Sequence, residues 1–321
     1  MIRKIFIAIF TVVSLFAAHA NAAPMAYSVN SDGTPGDGLF LIDLATGADQ
    51  FRGTLFTGIE DRTDTEGLAF SPGPNSQLWG IDDASATLFP INPLNGSINW
   101  QDEIQLPPEF QSGGGNDFGM TFACDNSLYF TSVSSQTLYR RDPGGSTTAI
   151  GGKGSLGVNI SAISAIGNPT RLYGLGNGQL LNGATDAPNL YSIDTTTGVA
   201  NLIGPLGAAG EYIYNQAGMG FDSTGVLWAI TDRSQINNQK SQILNINLIT
   251  GAATLVSTTV NQVGYESLAI SPPASCSAPA KGPDGLPRIP TLSLAGRLFA
   301  ILVLMLTGMF FLRSWYSKRT H

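Results

Sequence analysis

A short apolar motif that ends in a turn recurs five times along this chain of 321 residues. The copies read GLFLIDLATG, TLFPINPLNG, TLYRRDPGG, NLYSIDTTTG and ILNINLITG, and their second aligned positions are Phe40, Phe89, Tyr139, Tyr191 and Leu244. Subtracting these numbers gives spacings of 49, 50, 52 and 53 residues. A period near 50 residues is typical of repeat architectures, in which every copy is one supersecondary unit.

Three further strand-like segments accompany each copy, so each repeat predicts four strands. The segment just before the motif has a central aromatic residue, which we expect to pack in the core. An earlier segment alternates small with apolar residues, and a last one follows the turn. Four antiparallel strands per 50 residues make one propeller blade. The aromatic residues are Tyr27, Trp79, Tyr129, Tyr173 and Trp228; the earlier segments are EGLAFSP, FGMTFAC, ISAISAIG, AGMGFDS and ESLAISP; the last segments are ADQFRGTLF, SINWQ, STTAIG, VANLIG and AATLVS.

The order of these segments predicts how the repeats close into a ring. The N-terminal copy lacks a first strand and begins at Met25, whereas the C-terminal copy consists of a first strand alone, at Glu266. Pairing the two removes an open edge and completes one blade. The sequence therefore predicts an all-β, five-bladed β-propeller of four-stranded antiparallel blades, with the last blade closed by the N- and C-terminal strands. A β-sandwich, or a six- or seven-bladed ring with degenerate blades, is the alternative.

Both ends of the chain have the pattern of targeting segments. Residues 1–22 combine a basic start, an apolar stretch and small residues at Ala20 and Ala22, which predicts a cleaved signal peptide rather than an uncleaved anchor. We assign 23–273 to the propeller domain and the Pro-, Gly- and Ala-rich 274–288 to a linker. Residues 289–321 contain an apolar run at 298–312, predicted to be a transmembrane helix, and a basic tail that would stay in the cytoplasm.

Charge excludes one class of partner. Six of the 16 basic residues lie in the two terminal segments, whereas all 23 acidic residues lie between Asp32 and Asp284, which leaves 10 − 23 = −13 for the region between. No basic stripe is available to neutralise phosphates, so we expect no nucleic-acid binding. Cations, neutral polysaccharides or basic proteins fit this charge better, unless the acidity only keeps an exported domain soluble.

The C-terminal segment carries a recognisable motif. It resembles the IPTL-CTERM sorting signal of Gram-negative bacteria, in which Ile-Pro-Thr-Leu-x-x-Trp-Gly precedes a transmembrane helix and a basic end. The resemblance implies passage through the Sec translocon and signal peptidase, and then retention in the inner membrane with the domain in the periplasm. An exosortase-type sorting protease would then release the protein to the cell surface or the medium; a plain C-terminal anchor is the alternative. The matching residues are Ile289, Pro290, Thr291, Leu292 and Gly296, while Ala295 stands where the family has Trp.

The repeat itself resembles uncharacterised bacterial β-propeller domains with L-Y-x-I-D-x-x-T-G repeats. The best copy here runs from Leu190 to Asp194 and continues with Thr197 and Gly198. The Asp and Gly of such a motif end a strand and form a turn, so this motif is structural rather than catalytic.

The sequence excludes several kinds of chemistry. The 2 histidines are His19, in the signal peptide, and His321, the last residue, so the mature domain has none. Catalysis by Ser-His-Asp or Cys-His, and zinc, copper or iron bound through histidine, are therefore excluded. Cys124 and Cys276 form either a disulfide, which an oxidising compartment permits, or two inert thiols.

Carboxylates are the remaining candidates. Glu66, Asp117 and Glu266 stand at the starts of predicted innermost strands, so a propeller places them at one mouth of its central channel. Such a cluster can bind a hard cation, and Ca²⁺ is the only cofactor that the sequence suggests. It can also supply an acid/base pair for glycoside cleavage, or its members can cap turns and face water. Asp82 and Asp83, after a second strand, are expected to cap a turn.

These observations predict an exported cell-surface or extracellular-matrix propeller protein that binds or scaffolds envelope polysaccharide or protein without catalysing a reaction. The alternative is a carboxylate-dependent glycosidase or lyase acting on extracellular sugars, for which the sequence identifies no catalytic residue.

Overall fold

The computed structural model describes residues 24–30, 37–110, 115–179, 185–210, 213–234, 238–261, 264–274 and 276. These residues form twenty β-strands in five four-stranded antiparallel sheets, and three 3₁₀ helices at Trp100–Asp102, Pro108–Phe110 and Gly207–Gly210. The prediction of a five-bladed β-propeller is confirmed. No helix within the described ranges is long and apolar enough to cross a membrane. The signal peptide, most of the linker and the sorting segment with its predicted transmembrane helix lie outside the described residues.

Every blade repeats the same order of strands from the axis outwards. The innermost strands are β20 (Ala269–Ser271), β4 (Thr65–Phe70), β8 (Gly119–Phe122), β12 (Ile160–Ile166) and β16 (Ala217–Phe221) in blades 1 to 5. The second strands are β1 (Met25–Asn30), β5 (Leu78–Asp82), β9 (Leu128–Ser132), β13 (Arg171–Gly176) and β17 (Leu227–Thr231). The third strands are β2 (Gly38–Asp43), β6 (Thr87–Ile91), β10 (Thr137–Arg141), β14 (Asn189–Ile193) and β18 (Gln242–Ile246). The outermost strands are β3 (Asp49–Thr54), β7 (Ile104–Gln105), β11 (Thr147–Ile150), β15 (Ala200–Pro205) and β19 (Ala253–Thr258).

Blade 1 is closed by both ends of the domain, as predicted. Strand β1 pairs with β20 in an antiparallel register that sets Met25 opposite Ser271. The Ser267 hydroxyl accepts from the Val29 N–H at 3.0 Å, and Ser28 donates to the Ser267 carbonyl. We call the face where the innermost strands begin the entry face and the opposite one the exit face. The domain therefore starts and ends at its exit face.

The aromatic residues of the second strands pack between blades. Tyr129, Tyr173 and Trp228 are buried, as expected, while Tyr27 and Trp79 are half-buried. Three of these rings meet a Phe on the innermost strand of the next blade, so one repeated residue joins neighbouring sheets. The ring centroids lie 5.9 Å apart for Tyr27 and Phe70, 6.2 Å for Trp79 and Phe122, and 5.7 Å for Tyr173 and Phe221.

The glycine turn of the repeat makes a second contact between blades. Gly47 has a φ of +72°, and a Cβ at this position would lie 1.9 Å from the Thr258 carbonyl oxygen in β19 of the preceding blade. Gly251 has a φ of +77°, and its Cβ would lie 2.2 Å from the Gly204 carbonyl oxygen in β15. Only glycine combines a left-handed conformation with so close an approach of two backbones. The recurrence of the Thr-Gly turn thus reflects how blades pack.

We expect Gly47→Ala to lower the free energy of unfolding by about 3 kcal/mol, because it adds a clash with Thr258 to the strain of a left-handed alanine. Gly207→Ala is the matched control, since Gly207 has the same φ of +72° but no atom within 4 Å of the added Cβ. It should lose about 1 kcal/mol. Urea unfolding of both variants measures the difference, and equal losses would contradict the proposed blade contact.

The outermost strand of blade 2 differs from its prediction. The segment SINWQ was expected to form it, but Ile98 makes only an isolated bridge to Ile91, and β7 follows later at Ile104–Gln105. Pro90, the fourth of the five residues of β6, has no N–H to contribute to a ladder. The Asn99 side chain then accepts from the Gln101 N–H and caps a 3₁₀ turn, which diverts the chain from the sheet.

Candidate functional site

Five carboxylates converge at the entry face, where innermost strands begin and second strands end. We call this group the acidic mouth. Glu66 is 6% exposed, Asp83 2% and Glu266 3%, so these carboxylates are withdrawn from solvent. The charges of the other four carboxylates all raise the pKa of Glu66, so all four lie close enough to interact with it electrostatically. The acidic mouth consists of Asp64, Glu66, Asp83, Asp117 and Glu266.

Backbone groups of the loop before β8 hold two of these side chains. The Phe118 N–H donates to Glu66 Oε2 at 2.7 Å. Asn116 donates its N–H and its side-chain amide to Asp83, at 2.7 Å and 2.6 Å. Between them, Asp117 adopts a left-handed φ of 45°, which non-glycine residues rarely adopt. This turn brings the loop of blade 3 onto the carboxylates of blade 2.

Burial raises the pKa of two carboxyl groups in the acidic mouth. Burial raises the pKa of Glu66 well above its ordinary value, and the charges of Asp117, Asp83, Glu266 and Asp64 raise it further. Burial also raises the pKa of Asp117, although its hydrogen bond with Glu66 opposes this. A raised pKa on both members of a hydrogen-bonded carboxyl pair favours a proton shared between them.

The carboxylate oxygens are spaced suitably for a cation. One oxygen from each of Asp64, Glu66 and Asp83 lies within 4.8 Å of the other two. Ligands of Ca²⁺ lie about 2.5 Å from the ion, so oxygens on opposite sides of it are about 5 Å apart. The structure brings Glu66, Asp117 and Glu266 to the same mouth, but the closest trio contains Asp64 and Asp83, which sequence reasoning had missed or assigned to a turn.

A further carboxylate, Asp37, lies at the junction of blades 1 and 2. It is 0% exposed, its Oδ2 accepts from the Thr65 N–H at 2.6 Å, and its Oδ1 has no hydrogen-bond partner among the described residues. Burial raises the pKa of Asp37 to about 8, and the charges of Asp82 and Asp64 contribute to the rise. Asp37 extends the set of buried carboxyl groups beyond the acidic mouth.

A buried cation lies on the loop between blades 1 and 2. Arg62 is 6% exposed and pairs with Glu60 at 2.9 Å and with Glu103. These two carboxylates of its guanidinium lie outside the acidic mouth.

The channel below the mouth is too narrow to admit a ligand. A space of only about 10 Å³ remains beside Glu66, Gly119 and Gly218. Innermost strands approach the axis so closely that a Cβ on Gly218 would lie 2.0 Å from the Ser267 carbonyl carbon. Further in, a cavity of about 70 Å³ leads to the exit face. A ligand of the acidic mouth must therefore bind from the entry face.

The exit end of the channel is covered by the segment after β20. Pro273 makes an isolated bridge with Asp222 of blade 5, and Cys276 forms a disulfide with Cys124, which follows β8 in blade 3. The Cα atoms of the two cysteines are 5.5 Å apart. The segment thus links the closing strand of blade 1 to two other blades. Of the two alternatives for the cysteines, the structure has the disulfide.

The fold and the acidic mouth define a five-bladed propeller with a carboxylate site at its entry face. A catalytically inactive virginiamycin B lyase from Staphylococcus aureus with quinupristin is 16% identical, with a TM-score of 0.40 over 77% of this chain and 75% of that one. A gluconolactonase from Xanthomonas campestris is 12% identical, with a TM-score of 0.42 over 77% and 80%. Glutaminyl cyclase from Myxococcus xanthus is 15% identical, with a TM-score of 0.39 over 61% and 69%. No family model and no curated protein matches the sequence.

Proposed function

We propose that this chain is an exported, non-enzymatic binding protein of the cell surface or extracellular matrix. Its propeller binds envelope polysaccharide or protein, and its acidic mouth binds Ca²⁺. Export and sorting rest on the signal-peptide pattern and on the resemblance of the tail to the IPTL-CTERM signal. The sorting residues Ile289, Pro290, Thr291, Leu292 and Gly296 lie outside the described residues.

The spacing of three carboxylates carries the proposal of a cation site. Asp64, Glu66 and Asp83 can present oxygens to one ion from positions within 4.8 Å of one another. The negative charges of Asp117 and Glu266 also act on this site. Oxygen ligands and high charge suit a hard cation, and the millimolar Ca²⁺ outside cells suits a weak site. Ca²⁺ competes with protons for Glu66, whose pKa burial raises, so the affinity for Ca²⁺ should increase with pH.

We expect isothermal titration of the full chain with CaCl₂ at pH 7.5 to show one site with a Kd of about 10⁻⁵ to 10⁻³ M. Glu66→Gln should weaken this affinity at least about tenfold, because it removes a charged ligand and keeps an oxygen to accept from the Phe118 N–H. Lowering the pH to 5.5 should weaken binding to the original protein as well, because the pKa of Glu66 is raised.

Glu109→Gln is the control, since Glu109 is an exposed carboxylate in a 3₁₀ helix and is not among the charges that raise the pKa of Glu66. Its Ca²⁺ affinity should equal that of the original protein. Equal affinities for all three proteins, or no heat of binding at 10 mM CaCl₂ (about tenfold above the weakest expected Kd), would rule out the cation site.

One observation favours the enzyme as a second candidate. A buried Glu66 with a raised pKa, hydrogen-bonded to Asp117, is the arrangement required of a general acid beside a second carboxyl group. Glu66→Gln and Glu266→Gln distinguish the candidates in a panel of oligosaccharide cleavage assays. Cleavage that disappears in Glu66→Gln would establish the glycosidase or lyase, whereas no cleavage by the original protein supports the binding protein.

A further inference from the structure

A polar groove opens on blade 2 because its outermost strand is short. Strand β7 pairs with β6 only at Thr87 and Leu88, so the rest of β6 is left without a full fourth strand. A pocket of about 350 Å³ lies beside it. Residues around this pocket carry amides, hydroxyls and one carboxylate, including Asn92, Ser97, Asn99 and Asp102. A departure from an otherwise regular repeat is where we expect function rather than folding to determine the sequence.

A second pocket adjoins the first. It measures about 360 Å³ and lies between blades 2 and 3. Gln77, at the turn before β5, lines both pockets, so they meet at this residue, and we call the two together the groove. Trp79 and Phe122 line the second pocket, their ring centroids 6.2 Å apart. The groove lies on the exit side of the blade, away from the acidic mouth.

The groove presents hydrogen-bonding groups that the folded chain does not use. The side-chain amides of Gln77 and Asn126 are exposed and form no hydrogen bond with the described residues. The indole N–H of the half-buried Trp79 has no acceptor among the same residues. Trp100, between two groove residues in sequence, is 53% exposed. Aromatic faces next to free amides match the apolar C–H faces and the hydroxyl edges of sugar rings.

Charge decides which sugars suit the groove. Its charged residues are Asp102, Arg141 and Asp142, and each already has a partner. Asp102 accepts from Asn99 at 2.8 Å, Arg141 donates to the Gly145 carbonyl at 2.6 Å, and Asp142 pairs with Arg140 at 3.1 Å. Among the described groove residues, no cationic side chain is available to bind an anionic sugar. The net negative charge of the domain would also repel an anionic sugar.

We propose that this groove binds a neutral oligosaccharide segment of an extracellular polysaccharide, with Trp79 stacking on a sugar ring and Gln77 hydrogen-bonding to hydroxyls at the junction of the two pockets. The inference deepens the proposed function and rests on it, because it assigns the polysaccharide to a place in the fold. It does not depend on the Ca²⁺ site, which lies at the opposite face.

Native affinity electrophoresis of the full chain tests the groove, in gels containing dextran, galactomannan, hydroxyethyl cellulose or alginate. We expect retardation by at least one of the three neutral polysaccharides and none by alginate. Trp79→Ala and Gln77→Ala should each raise the apparent Kd about tenfold, through loss of stacking and of hydrogen bonds. Gln77 is exposed, so its variant keeps the test valid if Trp79→Ala does not fold.

Tyr27→Ala is the matched control for Trp79, because Tyr27 is the half-buried aromatic residue of the same strand in blade 1 and packs on Phe70. Asn201→Ala, on an exposed amide of blade 4, is the control for Gln77. Both should bind like the original protein. Retardation that persists unchanged in both groove variants would overturn the groove alone. Retardation only by alginate would overturn the neutral ligand, and no retardation in any gel would overturn both the groove and polysaccharide binding.

Discussion

Cys276→Ser should lower the free energy of unfolding by about 5 kcal/mol, because the disulfide with Cys124 closes a loop of 152 residues. The free energy of unfolding decreases mainly because the unfolded chain gains conformational freedom without the disulfide. The substitution also weakens the closure of the ring, since Cys276 follows β20, which pairs with β1 over only three residues. Urea unfolding under non-reducing conditions, followed by tryptophan fluorescence, measures the change in midpoint.

Two controls separate the disulfide from the side chain at position 276. Cys124→Ser should give the same loss, and the double variant should lose no more than either single one, because all three remove one bond. Dithiothreitol should bring the original protein to the stability of the variants and leave the variants unchanged. A loss below about 1 kcal/mol in Cys276→Ser would show that the bond contributes little to the folded ring.

Stability should fall as the pH rises from 4 to 9, and Asp37→Asn should remove much of that fall. Burial raises the pKa of Asp37 from 3.8 to about 8 in the folded protein. The folded state therefore binds a proton that the unfolded state has released, and the resulting stability is full below pH 3.8 and lost as the pH passes 8. At pH 9 the change is on the order of 5 kcal/mol, measured by urea unfolding in EDTA.

The substitution suits the site because asparagine keeps an oxygen for the Thr65 N–H and carries no charge. The free energy of unfolding of Asp37→Asn should equal that of the original protein at pH 4 and exceed it at pH 9. Asp194→Asn is the control for a carboxyl group whose pKa changes in the opposite direction. Backbone N–H groups of Thr196 and Thr197 lower the pKa of this exposed carboxyl group. Replacing it with an amide should therefore not increase the stability of the protein at pH 9. A variant of Asp37 that loses stability with pH as steeply as the original protein would contradict the assignment.

The repeat predicted the fold because its evidence is distributed over the whole chain. A missing strand in the first copy and a lone strand in the last are complementary, and pairing Met25 with Ser271 is the result. The outermost strand of blade 2 could not be predicted in the same way. Its position depends on Pro90, which weakens the ladder, and on Asn99, which caps a turn instead of extending a strand. Both residues depart from the repeat pattern in a single copy, so a pattern derived from all five copies does not reveal them.

The candidate site was only partly predictable. Glu66, Asp117 and Glu266 could be placed at one mouth because they begin equivalent strands. Asp64 was missed although it stands two residues before Glu66, the spacing that puts side chains on the same side of an extended chain. Asp83 was assigned to a turn, but it follows a second strand that ends at the mouth where innermost strands begin, so antiparallel geometry alone could have added it.

The closure of blade 1 by β1 and β20 has a consequence for the order of folding. Because β20 ends at Ser271, the first blade to be synthesised has no inner strand until almost the entire domain has followed it. The ring therefore stays open until its last strand is available, and folding finishes only then. Under the export that we propose, a polypeptide threaded unfolded through a membrane pore gains from this delay, since no closed ring forms early enough to block the pore.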